Sequence, residues 1–157
     1  FLTAYVAADG LESVFPNWKK IEVRTAAIIE RFHVKASGPH DTVVSLSGGN
    51  LQKFIIGREL TQNPRVLVCF YPTWGVDVGS ADLIHRELAA MRDNGIAILV
   101  ISEELDELFH LADRVGAICS GRISPIETTQ NVSTERLGQW MTGDFSHGKS
   151  TETTDAS

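Results

Sequence analysis

The stretch that most constrains the fold is Leu46-Ser47-Gly48-Gly49-Asn50-Leu51-Gln52-Lys53, which is followed by helical apolar periodicity as far as Leu60. A helix is predicted to begin at Ser47, Gly48 and Gly49, where small side chains leave the backbone accessible. The Ser47 hydroxyl adds a further hydrogen-bond donor. The unpaired N–H groups and the positive dipole end of a helix N-terminus attract anions, so this stretch is suited to holding a phosphate. A Ser-Gly-Gly run is also typical of an ordinary turn and helix start, and the residue types alone leave both interpretations open.

The segments on either side of this stretch predict alternating helices and strands. Helices are predicted over 18–34, 47–61, 79–91, 103–111 (capped by Ser102) and 134–141, strands over 66–70 and 96–101, and a hairpin over 115–119 and 122–125. The two longer strands are continuous apolar runs, which indicates burial on both faces. This order predicts an α/β fold, a parallel sheet with crossover helices preceded by a helical portion.

Composition and charge exclude several classes of protein. The chain has 157 residues, 43% of them hydrophobic and 22% charged, as expected for one globular domain. No apolar run approaches the ~18 residues that a membrane span needs, so we expect no direct membrane insertion and a soluble isolated chain. The net charge of -6 opposes nucleic-acid binding, because phosphate backbones need a basic surface.

The cysteines and histidines indicate no special chemistry. Cys69 and Cys119 each lie in an apolar, strand-like run, which indicates small buried side chains in a reducing compartment. The five histidines are scattered without the spacing of metal ligands, and we assign no metal site.

Together with several downstream segments, Leu46 to Lys53 resembles the LSGGQ-type signature of ATP-binding-cassette (ABC) ATPases, in the LSGGNQQK form of sugar and nucleoside importers. Downstream, Pro72-Thr73-Trp74-Gly75-Val76-Asp77-Val78-Gly79 resembles the EPTRGVDVGA stretch of that family. The strand at 97–101, the segment 103–114 and the hairpin around 120–123 also resemble family elements, in the family's order. The resemblance covers residues 20 to 143.

The resemblance implies a partial P-loop NTPase (ABC ATPase) core. Residues 1–62 correspond to part of the helical subdomain with the signature, residues 63–142 to the C-terminal half of the ATPase core, and residues 143–157 to a disordered tail. The family's Walker A loop lies upstream of the signature, and we expect this chain to begin after it. The chain keeps the signature and departs from the family at Walker B, and in this it resembles the second, degenerate nucleotide-binding half of an ATP-binding subunit.

In that family the signature of one half closes over ATP bound by the Walker A loop of the opposite half. The resemblance therefore implies that Ser47, Gly48 and Gly49 donate hydrogen bonds to the γ-phosphate. Asn50 and Gln52 would order the loop, and Lys53 would add positive charge nearby. Asp77 would be the D-loop aspartate of the dimer interface. For Asp77, a plain turn carboxylate before a helix is the alternative. Leu51 departs from the family's commoner glutamine.

The same resemblance implies the cofactors and partners. ATP would be shared with the other nucleotide-binding half, which would also hold Mg²⁺. Transmembrane permease subunits would be the second partner, and the chain would lie peripherally on the cytoplasmic face of the membrane.

Three positions depart from the family's catalytic pattern. The Walker B aspartate and the following glutamate fall at Phe70 and Tyr71, and the switch histidine falls at Glu103. A phenyl ring cannot coordinate magnesium, and a phenol with a pKa near 10 is a poor base at neutral pH. A carboxylate at position 103 would repel a γ-phosphate. We therefore expect no catalytic residue in this chain and no ATP hydrolysis by it alone.

A second phosphate pattern is present in letters only. Residues 143–150 satisfy GxxxxGK[ST], but a working loop of this kind lies between a buried strand and a helix. Here a predicted helix precedes it and a run of Thr, Glu and Ser comes after it, so we reject it.

Two alternatives remain open. The chain could be a non-catalytic interaction module whose helical part docks on a permease, which Phe70, Tyr71 and Glu103 favour. It could also be an ABC-like ATPase of DNA repair or chromosome organisation, which the acidic charge and the lack of coiled-coil heptads oppose.

Overall fold

A computed structural model of the chain describes residues 17–62 and 64–146. The chain divides into two compact units, with the division between Glu103 and Glu104. The boundary predicted at 62/63 therefore falls inside the first unit. The reason is that the helix after the signature packs on the helix that follows the first strand.

The described residues of the first unit, 17–62 and 64–103, form three helices and two strands. In chain order these are α1 (Trp18–Arg31), a 3-10 turn (Val43–Ser45), α2 (Gly48–Leu60), β1 (Val66–Phe70), α3 (Val78–Asp93) and β2 (Ala97–Ile101). The predicted helices and strands are all present. Helix α1 ends before its predicted limit at residue 34, because His33 adopts a left-handed backbone with φ of 50°.

A polar side chain caps the start of each of the three helices α1, α2 and α3. The Asn17 side chain accepts from the backbone N–H of Lys20 at 3.1 Å, and Ser47 and Asp77 cap α2 and α3 in the same way. Each cap satisfies an N–H group that has no partner inside its helix. Helix α3 ends at Asp93, with Asn94 as its C-cap residue. Gly95 follows with φ of 84°, so the predicted Asn-Gly stop is confirmed.

Strands β1 and β2 form a parallel pair, in which Val66 lies opposite Ala97 and Phe70 lies opposite Ile101. Parallel neighbours need a crossover connection, and α3 supplies it by packing on β2. The predicted α/β class with a parallel pair and a crossover helix is confirmed.

The prediction that both strands are buried on both faces is wrong. Leu67 and Cys69 are buried, whereas Val66, Val68 and Phe70 are 65%, 61% and 68% exposed. Opposite them on β2, Leu99 and Ile101 are also exposed. A continuous apolar run indicates that both faces of a strand suit burial, but it carries no information on what covers them. Within the described residues only the face with Leu67 and Cys69 is covered. We call the other one, formed by Val66, Val68, Phe70, Leu99 and Ile101, the open sheet face.

Helices α1 and α2 pack closely on each other. Phe32, just after α1, is buried, and its ring lies over Gly57 of α2. A Cβ at Gly57 would lie 2.5 Å from the ring carbon Cδ2 of Phe32, well inside van der Waals contact. Glycine is therefore needed at position 57 for the two helices to approach this closely.

The second unit contains short elements around its own core. They are α4 (Leu105–Leu111), β3 (Arg114–Val115), β4 (Ile118–Cys119), β5 (Arg122–Ile123), β6 (Glu127–Thr128), a 3-10 turn (Thr129–Asn131) and α5 (Thr134–Met141). Trp140 and Leu137 of α5 are almost fully buried against Val115, Ala117 and Val132. Burial of these large apolar side chains stabilises the unit.

The hairpin and the last helix of this unit are confirmed. Strands β4 and β5 pair antiparallel about Ser120 and Gly121, whose positive φ values of 48° and 73° are typical of a tight hairpin turn. The pairing of β3 with β6 was not predicted. The predicted cap at Ser102 is wrong: the N-cap residue of α4 is Glu104, and no side chain caps the helix.

The predicted burial of both cysteines is confirmed for Cys69, whereas Cys119 is only partly buried. The rejected phosphate pattern at 143–150 lies largely outside the described residues, which stop at Ser146. Of the helices in 17–62 and 64–146, none combines the length and apolar character that crossing a bilayer requires.

Candidate functional site

The turn that enters α2 presents backbone N–H groups to solvent. The hydroxyl of Ser47 accepts from the backbone N–H of Asn50 at 3.4 Å and from its side-chain amide at 2.8 Å. The N–H of Leu51 donates to the Ser47 carbonyl oxygen at 2.8 Å. The N–H groups of Gly48 and Gly49 make no hydrogen bond to residues 17–62 or 64–146. These two amides and the Ser47 hydroxyl hydrogen are the donors that the turn can offer to an anion.

Asn50 holds this turn in place from the other side. Its amide oxygen accepts from the backbone N–H of Lys35 at 2.8 Å, while its amide nitrogen donates to Ser47. One side chain thus ties the start of α2 to the segment after α1. That Asn50 orders the turn for a nucleotide stays a prediction.

Gln52 reaches the turn that follows β1. Its amide nitrogen donates to the carbonyl oxygens of Tyr71 at 3.1 Å and Pro72 at 3.2 Å. Tyr71 has a left-handed backbone with φ of 48°, a conformation that costs a non-glycine residue about 1–2 kcal/mol. The Gln52 bonds therefore help to hold a strained turn.

Lys53 forms an ion pair with Asp77. The ammonium nitrogen lies 2.7 Å from Oδ2 of Asp77, and the Lys53 side chain is only 8% exposed against 65% for Asp77. The hydrogen bond from Lys53, followed by bonds from the hydroxyl and backbone N–H of Ser80, holds the pKa of the Asp77 carboxyl well below its usual range. Asp77 also caps α3, which agrees with the alternative interpretation of this residue as a turn carboxylate before a helix.

The resemblance assigns Lys53 the role of positive charge near a phosphate. Its surroundings favour a different role, an ion pair with Asp77. Its ammonium is buried beneath the helix start and is neutralised by Asp77. The anion-binding capacity of the turn comes from neutral donors and the helix dipole instead.

At the two positions that the resemblance assigns to the Walker B carboxylates, the chain has Phe70 and Tyr71 and so no carboxylate. The rings of Phe70 and Tyr71 meet edge to face, with centroids 4.5 Å apart, and Glu103 lies exposed at the end of the unit. Among the described residues no group of three or more His, Cys, Asp or Glu side chains is arranged to hold a metal ion. The two rings offer no oxygen ligand of the carboxylate type that Mg²⁺ prefers, so the pair does not fit this ion.

Sequence reasoning missed two residues of the site. Ser80 donates to both carboxylate oxygens of Asp77, at 2.9 and 3.0 Å. Gly75, with φ of 71°, brings its carbonyl oxygen against Gly49. The spacing Asp77 to Ser80 matches an N-cap and its third helical position, and that pattern could have indicated Ser80. No local signal indicates that Gly75 meets Gly49.

Comparison with known proteins shows the family to which the chain belongs. The nucleoside import ATP-binding protein NupA of Lactococcus lactis subsp. cremoris is 41% identical over 129 residues, which are 82% of this chain and 26% of the relative. The guanosine import ATP-binding protein NupO of Bacillus subtilis is 38% identical, with 76% of this chain and 24% of the relative covered. The glucose import ATP-binding protein TsgD13 of Haloferax volcanii is 37% identical, with 81% and 24% covered. The chain spans about a quarter of the length of these curated relatives. No family model matches.

The solved structures agree on the fold. The ATP-binding subunit of an ABC transporter matches with a TM-score of 0.67 at 17% identity, over 79% of this chain and 55% of that chain. A dimeric ATP-binding cassette in a post-hydrolysis state with ADP and Pi matches with a TM-score of 0.63 at 18% identity, over 75% and 50%. The fold is that of part of an ABC ATPase domain. Within that class, the chain is a homologue of the ATP-binding proteins of sugar and nucleoside ABC importers.

Proposed function

We propose that this chain supplies the signature half of a composite ATP site in an ABC importer for sugars or nucleosides. The turn Ser47–Gly49 would cap a triphosphate that another nucleotide-binding half carries on its own Walker A loop. The partners would be that second half and the permease subunits. The chain would act at the cytoplasmic face of the membrane as a peripheral component, and the nucleotide-carrying half would provide Mg²⁺.

The observation that carries the proposal is that the backbone N–H groups of Gly48 and Gly49 have no hydrogen-bond partner among the described residues. They lie at the exposed start of a 13-residue helix, beside the Ser47 hydroxyl. Charge-assisted hydrogen bonds from fixed N–H groups are stronger than neutral ones, and a γ-phosphate is the anion that this cradle suits. A Cβ at Gly48 would meet nothing within 4 Å, so phosphate oxygens can approach this part of the turn closely.

The chain contributes binding rather than bond breaking. Hydrolysis of ATP needs a metal ligand and a group that orients the attacking water. Phe70 and Tyr71 offer neither, and the acidic Glu103 would repel a γ-phosphate. A second nucleotide site, in which the Walker B residues come from this chain, would therefore be hydrolytically inactive.

The test uses a nucleotide-binding half that contains a Walker A loop. Its affinity for Mg-ATP is measured with and without this chain, and we expect the chain to tighten binding by at least about tenfold, since each charge-assisted donor is worth about 1.5–3 kcal/mol. Ser47→Arg fills the phosphate position and should abolish the gain. Ser133→Arg, which removes a similar N-cap serine from α5, is the matched control and should keep it.

The scaffold interpretation predicts a different result. If the chain only docks on a permease, the affinity of the other half for ATP stays the same with the wild-type chain and with both arginine variants. The exposed aromatic ring of Phe70 at a former metal-ligand position is the observation that favours this second function.

A further inference from the structure

Three residues of α2 lie on one face and meet one loop. Gly49, Gln52 and Lys53 are spaced i, i+3 and i+4, which places them together on a helix surface. Gly49 contacts Gly75, and Gln52 bonds to the carbonyls of Tyr71 and Pro72. This face of α2 is therefore turned toward the loop from Tyr71 to Asp77, which we call the 71–77 loop.

Lys53 and Gln52 hold the two ends of this loop. Gln52 bonds at its start, and Lys53 bonds at its end through Asp77. Asp77 is fixed in turn by the backbone N–H and hydroxyl of Ser80, at 3.0 and 2.9 Å. Adjacent residues of one helix thus bind both ends of a seven-residue loop.

Burial makes the Lys53 contact specific. A lysine ammonium that leaves water loses its hydration and must gain a paired partner in return. With its side chain 8% exposed, Lys53 has its carboxylate partner in Asp77 at 2.7 Å. Asp77 is more exposed, so water can hydrate its carboxylate if Lys53 is removed.

We propose that Lys53 is a positioning residue for the composite ATP site. Through Asp77, Lys53 fixes the 71–77 loop to the turn Ser47–Gly49, which we call the signature turn. The turn and the loop then meet a partner's nucleotide as one rigid surface. The inference rests on the proposed function, because the process that Lys53 would support is nucleotide binding at Ser47–Gly49. Lys53 touches no nucleotide in this arrangement and acts through Asp77 and the helix that carries Gly48 and Gly49.

The first test needs no nucleotide. Amide hydrogen exchange of the whole chain is compared for the wild type, Lys53→Met and Lys53→Arg. Lys53→Met keeps the buried stem and removes the charge, and exchange over 71–77 should rise by about tenfold or more, as expected for a loop that opens locally. Exchange over α1 should not change. Lys53→Arg keeps a cation and should restore most of the protection.

A matched control uses another ion pair of the same unit. Arg86 and Asp82 form an exposed pair on α3, 3.5 Å apart. Arg86→Met removes a cation from the surface and should leave exchange over 71–77 unchanged. Unchanged exchange in Lys53→Met, or an equal rise in Arg86→Met, would overturn the proposed coupling.

The second test uses the mixture with a Walker A-containing half. Lys53→Met should weaken the apparent affinity for Mg-ATP by about tenfold, and Lys53→Arg should recover it, as a coupling between contacting residues predicts. If Ser47→Arg abolishes the gain in affinity while Lys53→Met has no effect, the positioning role is wrong and the proposed function stands. If the mixture shows no gain while exchange over 71–77 responds to Lys53→Met, the loop contact holds and the proposed function is wrong.

Discussion

Gly49 and Gly75 approach so closely that a Cβ on Gly49 would lie 2.5 Å from the carbonyl oxygen of Gly75. Gly49 belongs to the signature turn, and Gly75 lies in the 71–77 loop. Their contact joins two segments that are 26 residues apart in the sequence and were identified as separate motifs. The absence of a side chain at position 49 is therefore a requirement of the fold as well as of an anion cradle.

This contact separates the effects of two neighbouring glycines. Gly49→Ala should push the 71–77 loop away and increase hydrogen exchange there, because the obstructing atom belongs to the backbone. Gly48→Ala meets no atom within 4 Å and should leave exchange unchanged. In the mixture with a Walker A-containing half, both changes should weaken ATP binding. Equal exchange in the two variants would contradict the assignment of Gly49 to the loop contact.

The ion pair at Asp77 predicts a pH dependence of known sign. Its folded-state pKa lies below the unfolded value of about 3.9, so the stability that the carboxylate contributes is complete above about pH 4 and is lost as the pH falls toward the folded-state pKa. The difference in urea midpoint between wild type and Asp77→Asn should stay constant from pH 7 to pH 5. It should shrink below about pH 4. A difference that already declines between pH 7 and pH 5 would show that another group carries the effect.

Removal of either ion-pair partner should have unequal effects. Asp77→Ala leaves the buried Lys53 ammonium without its carboxylate partner, whereas Lys53→Met leaves a carboxylate that water reaches. We expect Asp77→Ala to lower the urea midpoint more than Lys53→Met does. Part of that loss comes from the helix cap, and Asp77→Asn, which keeps an N-cap side chain, isolates it. A larger loss in Lys53→Met would contradict the burial argument.

The contact between Gly57 and Phe32 predicts a stability cost. Gly57→Ala places a methyl group 2.5 Å from the Phe32 ring and should destabilise the chain by about 1–3 kcal/mol. Gly138→Ala in α5, where a Cβ meets nothing within 4 Å, should instead be neutral or stabilising by up to about 1 kcal/mol. Urea denaturation of both variants measures the two effects. A stabilising Gly57→Ala would mean that α1 and α2 are further apart than described.

The two faces of β1 should respond differently to substitution. Leu67→Ala removes a buried side chain and should cost about 2–5 kcal/mol. Val68→Thr changes the adjacent, exposed position while it keeps β-branching, and should change stability by less than about 0.5 kcal/mol. The free energy of unfolding of each variant gives the comparison. A large cost at Val68 would show that the open sheet face is covered in solution.

Local features of the fold could be predicted from the sequence because their causes are local. Ser47 and Asp77 begin helices through side chains that cap their own backbone, and Gly95 ends one through its own φ. The open sheet face could not be predicted, because the residues from Val66 to Phe70 are apolar on both faces of the strand. That pattern does not show whether one face or both are covered.

The site divides in the same way. The residues of the signature turn could be proposed because Ser47, Gly48 and Gly49 are adjacent. The pairing of Lys53 with Asp77 joins residues 24 positions apart, and the bonds of Gln52 join it to residues 19 and 20 positions away. Such contacts depend on how α2 packs beside the loop, which periodicity does not encode.

The open sheet face also has a consequence for handling of the chain. Among the described residues β1 and β2 pair only with each other. Each strand therefore has an outer edge whose backbone N–H and C=O groups can pair with a further strand. Short, uncharged, apolar segments of high β-propensity, such as Val66–Phe70 and Ala97–Ile101, are typical of those that stack into cross-β assemblies. Concentrated solutions should therefore deposit fibrillar aggregates unless a lysine is placed on the strand surface or a binding protein shields it.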